Sequence, residues 1–263
     1  MKIAILGTGK MGAAIARGLT RDGGTMWDLA LTNTTGVLPD GLRGLDVPCM
    51  KSNAEAVAGA DIVILAVLPQ QYRKVLAEIC DAAKPSACLI SIAPGFTLES
   101  LNELTGRCFQ IVRAMPNTPA LIGEGMIAVC RGEGVSDETI DLAQQVLGCL
   151  GQTEAVTEAQ LNAVIGVSGS APAYVYMFVD ALADAGVLGG LHREQAVRMA
   201  AQMLYGSAAL LRETGKSPAE LREMVCSPAG TTIEAVASLE ESGFRGAVIK
   251  AARAAMEKAS RMG

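Results

Sequence analysis

The opening twelve residues constrain the fold most. MKIAILGTGKMG places an apolar run, Ile3 to Leu6, directly before Gly7, Gly9 and Gly12 in G-x-G-x-x-G spacing. In the longer stretch MKIAILGTGKMGAAIARGLTRDG, the Ala-rich part to about Arg21 reads as a helix. Strand, glycine turn and helix in that order form the phosphate-gripping corner of a dinucleotide fold. The first glycine permits a tight turn, the second lets backbone approach a pyrophosphate, and the third lets helix pack closely on strand. Unpaired N–H groups and the positive dipole end of the helix then face the phosphates. The spacing alone is weak, but here it heads an alternating strand–helix series, which is its confirming context.

That series continues through the first half. WDLALTN reads as a second strand. After a polar stretch to Asn53, ADIVILAV is the clearest buried strand in the chain. PQQYRKVLAEICDAA is an amphipathic helix with Pro69 near its start, and ACLISIA, CFQIVRA and MIAVCR are further strands. SDETIDLAQQVLGCLG is a helix opened by Ser136 and closed by Gly151. Strand alternating with helix predicts an α/β class, an N-terminal Rossmann-type doubly wound parallel sheet over residues 1–153. From about Thr157 the strands stop, and residues 154–263 read as an all-α domain. There Met199, Met203, Leu204, Ala208 and Leu211 follow the three-to-four spacing of a buried helical stripe. The small residues around them suit close packing against a second copy, so a homodimer through this half is expected, with a higher oligomer open.

Composition excludes several classes. Net charge is −5 with no basic run, which leaves no electrostatic footprint for nucleic acid. Seven cysteines are scattered with no C-x-x-C pair, the pattern of reduced thiols rather than a disulfide framework. His192 is the single histidine and has no Cys or His close by in sequence, so no metal is expected. No uninterrupted apolar run reaches the roughly 18 residues of a membrane span, and the opening lacks a signal-peptide layout. A cytoplasmic protein without a membrane partner is the expectation.

The second strand bears on which dinucleotide is bound. An NAD-binding fold usually carries an acid there for the ribose 2′-OH. LTNTTG offers Asn33, Thr34 and Thr35 and no carboxylate. Neutral side chains tolerate a 2′-phosphate, so NADP is favoured and NAD stays open.

Three turns suggest a substrate site. In MVCSPAGTTIEAV, Pro228 and Gly230 reset the chain before a helix beginning at Thr231 and Thr232. N–H groups of Gly230, Thr231 and Thr232 can grip a carboxylate, and the Thr232 hydroxyl can donate and accept a hydrogen bond. VSGSAPAYVY places Ser168, Gly169 and Ser170 ahead of Pro172 in a similar layout. VRAMPNTPA brackets Asn117 and Thr118 with two prolines after a strand, where a nicotinamide would lie.

Together LGTGKMG, ADIVILAVLPQQ, VRAMPNTPA, SGSAPAY and above all CSPAGTTIEAVASLE resemble pyrroline-5-carboxylate reductases, over nearly the whole chain. The resemblance implies reduction of the C=N bond of 1-pyrroline-5-carboxylate to L-proline by NADPH or NADH, and a helical domain that interlocks into a dimer. It implies that Leu6, Gly7, Thr8, Gly9, Lys10 and Met11 lie under the pyrophosphate. Asn33 and Thr35 fall near the adenosine ribose and Asn53 near the adenine end. Ala66, Val67, Leu68 and Pro69, with Ile92, Ala93 and Pro94, line the cofactor. Gly230, Thr231 and catalytic Thr232 take the substrate carboxylate and ring nitrogen, and Ser227, Glu158 and Asn117 support substrate binding. The chain departs from the usual family pattern at Ala171 and Ala229, where glycine is common, and at Leu68, where a basic residue is common. The two alanine methyls clash if those positions need positive φ.

The absent residues agree with this chemistry. A carbonyl reductase usually shows a His, Lys or Tyr acid, whereas a protonated imine is already primed for hydride. His192 reads as a helix-start residue. A 3-hydroxyacid dehydrogenase of similar plan would require a lysine early in the helical half, and none lies between Gly151 and Lys216. A nucleotide-sensing Rossmann protein would leave the SPAGTT turn unexplained.

Overall fold

The computed structural model describes residues 1–21 and 26–261. Asp22 and Gly23 of the opening stretch, and Met262 and Gly263 at the end of the helical half, lie outside the described residues. Contacts divide the chain into two compact units, Met1–Gly169 with the chain end from Ala255, and Ser170–Ala254.

The first unit is built on eight strands: β1 (Lys2–Leu6), β2 (Asp28–Thr32), β3 (Cys49–Met50), β4 (Ile62–Leu65), β5 (Cys88–Ser91), β6 (Gln110–Met115), β7 (Gly125–Arg131) and β8 (Gly151–Ala155). Its helices are α1 (Lys10–Thr20), α2 (Asn53–Val57), α3 (Tyr72–Ile79), α4 (Leu98–Thr105), α5 (Asp137–Leu147) and α6 (Leu161–Val164). The strands form one sheet in the order β3-β2-β1-β4-β5-β6-β7-β8. The first six repeat the order of a dinucleotide-binding sheet, with its switch point between β1 and β4.

Successive residues on a strand point to opposite faces, and here both faces are covered. Ile3, Ile5, Ile62, Ile64 and Ile90 pack on one side with α1 and α5. Ala4, Leu6, Val63, Leu65 and Leu89 pack on the other with α2, α3 and α4. Burying each such Ile, Val or Leu contributes about 1.5–3 kcal/mol, which is why ADIVILAV needs no alternation.

Several expectations are corrected. β7 runs antiparallel to β6, because the short Pro-rich turn between them holds no crossover helix, and a parallel return needs one. β3 and β8 were not anticipated; β3 is two residues long, and β8 alternates between partly buried and exposed positions without an apolar run. α5 does begin on Ser136, whose hydroxyl accepts from the Thr139 N–H at 3.1 Å. It ends at Leu147, and Gly151 instead opens β8 with φ 139°. The helix start expected at Pro172 is present, with Ser170 as the N-cap of a helix that begins at Ala171, but Ser168 and Gly169 belong to the π-helix Ile165–Gly169 before it.

The second unit is helical: α7 (Ala171–Leu188), α8 (Arg193–Thr214), α9 (Pro218–Val225), α10 (Thr231–Glu241) and α11 (Phe244–Ser260). His192 is the N-cap residue of α8. Ser217 caps α9 through a reciprocal box with Glu220. The Met199–Leu211 stripe is not buried within one chain: Met199 is 55% and Met203 45% exposed, and only Ala196 and Ala200 of α8 are covered. Among the described residues, the helical stretch Glu158–Leu188 is long and apolar enough to cross a membrane by length and composition alone. It passes that test although polar residues interrupt its apolar runs.

Candidate active site

A cleft of about 840 Å³ opens at the carboxyl ends of β1, β2 and β4 in the first unit. Its floor is the glycine turn. A Cβ on Gly12 would fall 2.0 Å from the Gly7 carbonyl, and one on Gly7 would fall 2.8 Å from the Ala66 carbonyl, so α1, β1 and β4 approach as only glycine allows. Gly9 has nothing within 4 Å of its Cβ position and faces open space. It is also the N-cap of α1 and supplies no side-chain cap, so first-turn N–H groups stand free at the cleft. A pyrophosphate fits this cradle, which has free donors, the positive dipole end of α1 and room for close backbone approach.

Gly7, Thr8, Gly9, Lys10 and Met11 line the cleft, as do Asn33, Asn53, Ala66, Val67, Leu68, Pro69, Ile92, Ala93 and Pro94. Leu6 does not: it is fully buried in the core beneath the sheet's end. Thr35 does not either. Its hydroxyl donates to the Asn33 Oδ1 at 2.9 Å and accepts from the Val37 N–H at 3.3 Å, which turns it into its own loop. Thr34, named in LTNTTG, lines the cleft, and so do Lys51, Lys74 and Glu78, which no sequence motif marked. Lys51 directly follows β3, an edge strand too short to announce itself.

Asn53 is held at both ends of its amide. Its Oδ1 accepts from the buried Thr32 hydroxyl at 2.7 Å, and its Nδ2 donates to Glu78 at 2.7 Å. The walls formed by residues 66–69 and 92–94 share one pin. The Tyr72 hydroxyl donates to the Leu65 carbonyl at 3.0 Å and accepts from the Ala93 N–H at 3.1 Å and the Ser91 hydroxyl at 3.3 Å. Burial pushes the Tyr72 phenol above its ordinary range, so it stays protonated and able to donate. The thiols of Cys88 and Cys149 are pushed up to about 12 by burial and are not nucleophiles at neutral pH.

The expected substrate residues fall into two groups. In the first unit, Asn117 donates to the Ser168 carbonyl at 3.1 Å and accepts from the Met126 N–H at 3.0 Å, so its amide is committed to the turn that carries it. Glu158 Oε1 accepts from Arg113 at 2.6 Å and from the Leu98 N–H at 2.6 Å. In the second unit, the Gly230 N–H donates to the Ser227 carbonyl at 3.0 Å and is therefore not free. Gly230 is the N-cap of α10 and gives no side-chain cap, so Thr231, Thr232 and Ile233 present the open first-turn N–H groups instead. A Cβ on Gly230 would fall 2.3 Å from the Ser227 hydroxyl, which sits over the turn.

The likeness to known proteins spans both units. A family model described as pyrroline-5-carboxylate reductase dimerisation matches residues 158–262. Another, described as NADP oxidoreductase, coenzyme F420-dependent, matches residues 2–95. The chain is 43% identical to the pyrroline-5-carboxylate reductase of Escherichia coli K12, covering 99% of its own length and 98% of that protein. It belongs to the pyrroline-5-carboxylate reductase family. Among solved structures, the pyrroline-5-carboxylate reductase of Coxiella burnetii aligns with a TM-score of 0.92 at 32% identity, over 99% of this chain and 98% of that one. The Plasmodium falciparum pyrroline carboxylate reductase, solved with NADP bound, aligns at 0.86 and 31% identity, over 100% and 98%. Membership in the family fits a site without a conventional acid: neither His192, an N-cap, nor the buried Tyr72 stands ready to protonate an alkoxide.

Proposed function

We infer that the chain is an NAD(P)H-dependent pyrroline-5-carboxylate reductase, reducing the C=N bond of 1-pyrroline-5-carboxylate to L-proline, the last step of proline biosynthesis. One observation carries this reading: the family likeness runs through both units, from the glycine-cradled cleft of the first to the uncapped α10 start of the second. Bound NAD(P)H supplies a hydride to the imine carbon. The chain's residues do the rest. First-turn N–H groups at Thr231 and Thr232 bind the substrate carboxylate, where the dipole of α10 favours negative charge. The Thr232 hydroxyl holds the protonated ring nitrogen, which keeps its proton as the C=N π pair becomes the amine lone pair. Positioning of imine against nicotinamide then supplies the main part of the acceleration.

In this reading residues 1–153 bind the dinucleotide, and residues 154–263 bind substrate and dimerise. Support for a homodimer comes from exposed apolar side chains on the second unit, with Leu188 91%, Met177 74% and Tyr205 64% exposed. Mating two such faces covers them, and rings of dimers are the next assembly to test. Seven free thiols fit a cytoplasmic setting.

The test is initial-rate oxidation of NADPH and NADH with 1-pyrroline-5-carboxylate. One proline formed per cofactor consumed is expected, and no oxidation with either cofactor would reject the reading. Thr232→Ala should lower kcat on the order of a hundredfold while leaving dinucleotide binding intact. Unchanged turnover would remove Thr232 from the mechanism.

A further inference from the structure

The ribose end of the cleft is built differently from what LTNTTG suggests. Asn33 is consumed by its own loop: Oδ1 accepts from the Thr35 N–H at 3.0 Å, the Thr35 hydroxyl at 2.9 Å and the Gly36 N–H at 2.7 Å. Its Nδ2 donates to the Thr8 hydroxyl at 2.9 Å and the Val37 carbonyl at 2.8 Å. Asn33 and Thr35 thus fix the loop's shape and tie it to the glycine turn, with little capacity left for a ligand. Two neighbouring cleft residues remain uncommitted, Thr34 and Lys51. Among the described residues, neither the Thr34 hydroxyl nor the Lys51 ammonium has a hydrogen-bond or ion-pair partner. The Lys51 stem lies across Gly36, where a Cβ would fall 2.9 Å from its Cγ and 3.6 Å from its Cε. Gly36, at φ 70°, therefore makes room for the lysine against the loop. The acid on the cleft wall, Glu78, is engaged by Asn53 at 2.7 Å and Lys74 at 3.9 Å, which leaves Lys51 without a competing carboxylate partner.

We propose that Lys51, with the Thr34 hydroxyl that lines the same cleft, selects NADPH over NADH by engaging the 2′-phosphate. This rests on the reductase reading above and deepens it. A phosphate monoester carries about −1.5 to −2 charges at neutral pH, and a charge-assisted contact from an ammonium is roughly twice as strong as a neutral one. The ribose 2′-OH of NADH offers Lys51 no such charge. The cation that the second strand lacks thus arrives from the end of the neighbouring edge strand.

The test is equilibrium binding to the full-length protein, with NADPH, NADH, adenosine 2′,5′-bisphosphate and AMP as probes. Wild type should bind NADPH more tightly than NADH. Lys51→Ala should raise the Kd for NADPH and for the bisphosphate roughly tenfold and leave those for NADH and AMP within about twofold. Lys51→Glu should bring NADH level with NADPH or ahead of it, and the steep salt dependence of NADPH binding should flatten in both variants. Equal affinities of wild type and Lys51→Ala for NADPH would overturn the proposal, as would equal weakening of both dinucleotides. Wild-type preference for NADH would overturn it while leaving the reductase reading in place. Failure of wild type to bind any probe would overturn both.

Discussion

Ala229 sits at φ 55°, one of two non-glycine residues with positive φ among those described. Its Cβ crowds the local backbone there, at a cost of about 1–2 kcal/mol that glycine does not incur. The turn needs this conformation to bring the chain from α9 into α10, so the methyl is tolerated rather than fitted. Ala229→Gly should therefore stabilise the protein by about 1 kcal/mol, read as a raised denaturation midpoint with an unchanged m-value. Ala171 is the opposite case. It is the first residue of α7, where helical φ suits alanine better than glycine, and Ala171→Gly should give no gain.

At the scale of elements, the cleft walls depend on α3 through a single oxygen. Tyr72 is fully buried and stacks on Phe96 with ring centroids 4.6 Å apart. Tyr72→Phe keeps that stacking and removes the hydroxyl, leaving the buried Ala93 N–H and Leu65 carbonyl unpaired. The loss should cost about 1–3 kcal/mol of stability. Because Ala93 lines the cleft, KM for NADPH should rise severalfold while kcat holds; equal stability and KM in steady-state assays would show the pin to be idle. The phenol lies within a helix legible from its apolar spacing, but its three partners sit on β4, on β5 and in the loop after β5, so its role could not be read from spacing. The same division holds throughout. β1, β4 and the glycine turn were legible because both-face burial and the G-x-G-x-x-G spacing are written in consecutive residues. β3 and the Lys51 that follows it were not, because a two-residue edge pairing takes its definition from β2. Pairing direction escaped too: β7 reads like its parallel neighbours, and only the short turn before it reverses the chain. Asn33 shows the limit of residue type, since an amide that suits a ribose suits an Asx-like turn equally well.

For the whole molecule, the two units have unequal claims to independence. The sheet unit hides its core on both faces, whereas the helical unit leaves Leu188, Met177 and Tyr205 open. A second copy is the natural cover, so Leu188→Asp should shift the protein to monomer and abolish turnover. Its dimer dissociation constant should rise at least about tenfold. Light scattering against concentration would read the shift, and a variant that stays dimeric would move the interface elsewhere on the unit. That uncovered face also sets two clocks for recovery after a denaturant jump. Dinucleotide binding, which in the proposed reading needs only the sheet unit, should return at a rate independent of dilution. Proline synthesis should lag behind it by an interval that lengthens as the protein is diluted, because its last step is a collision between two chains.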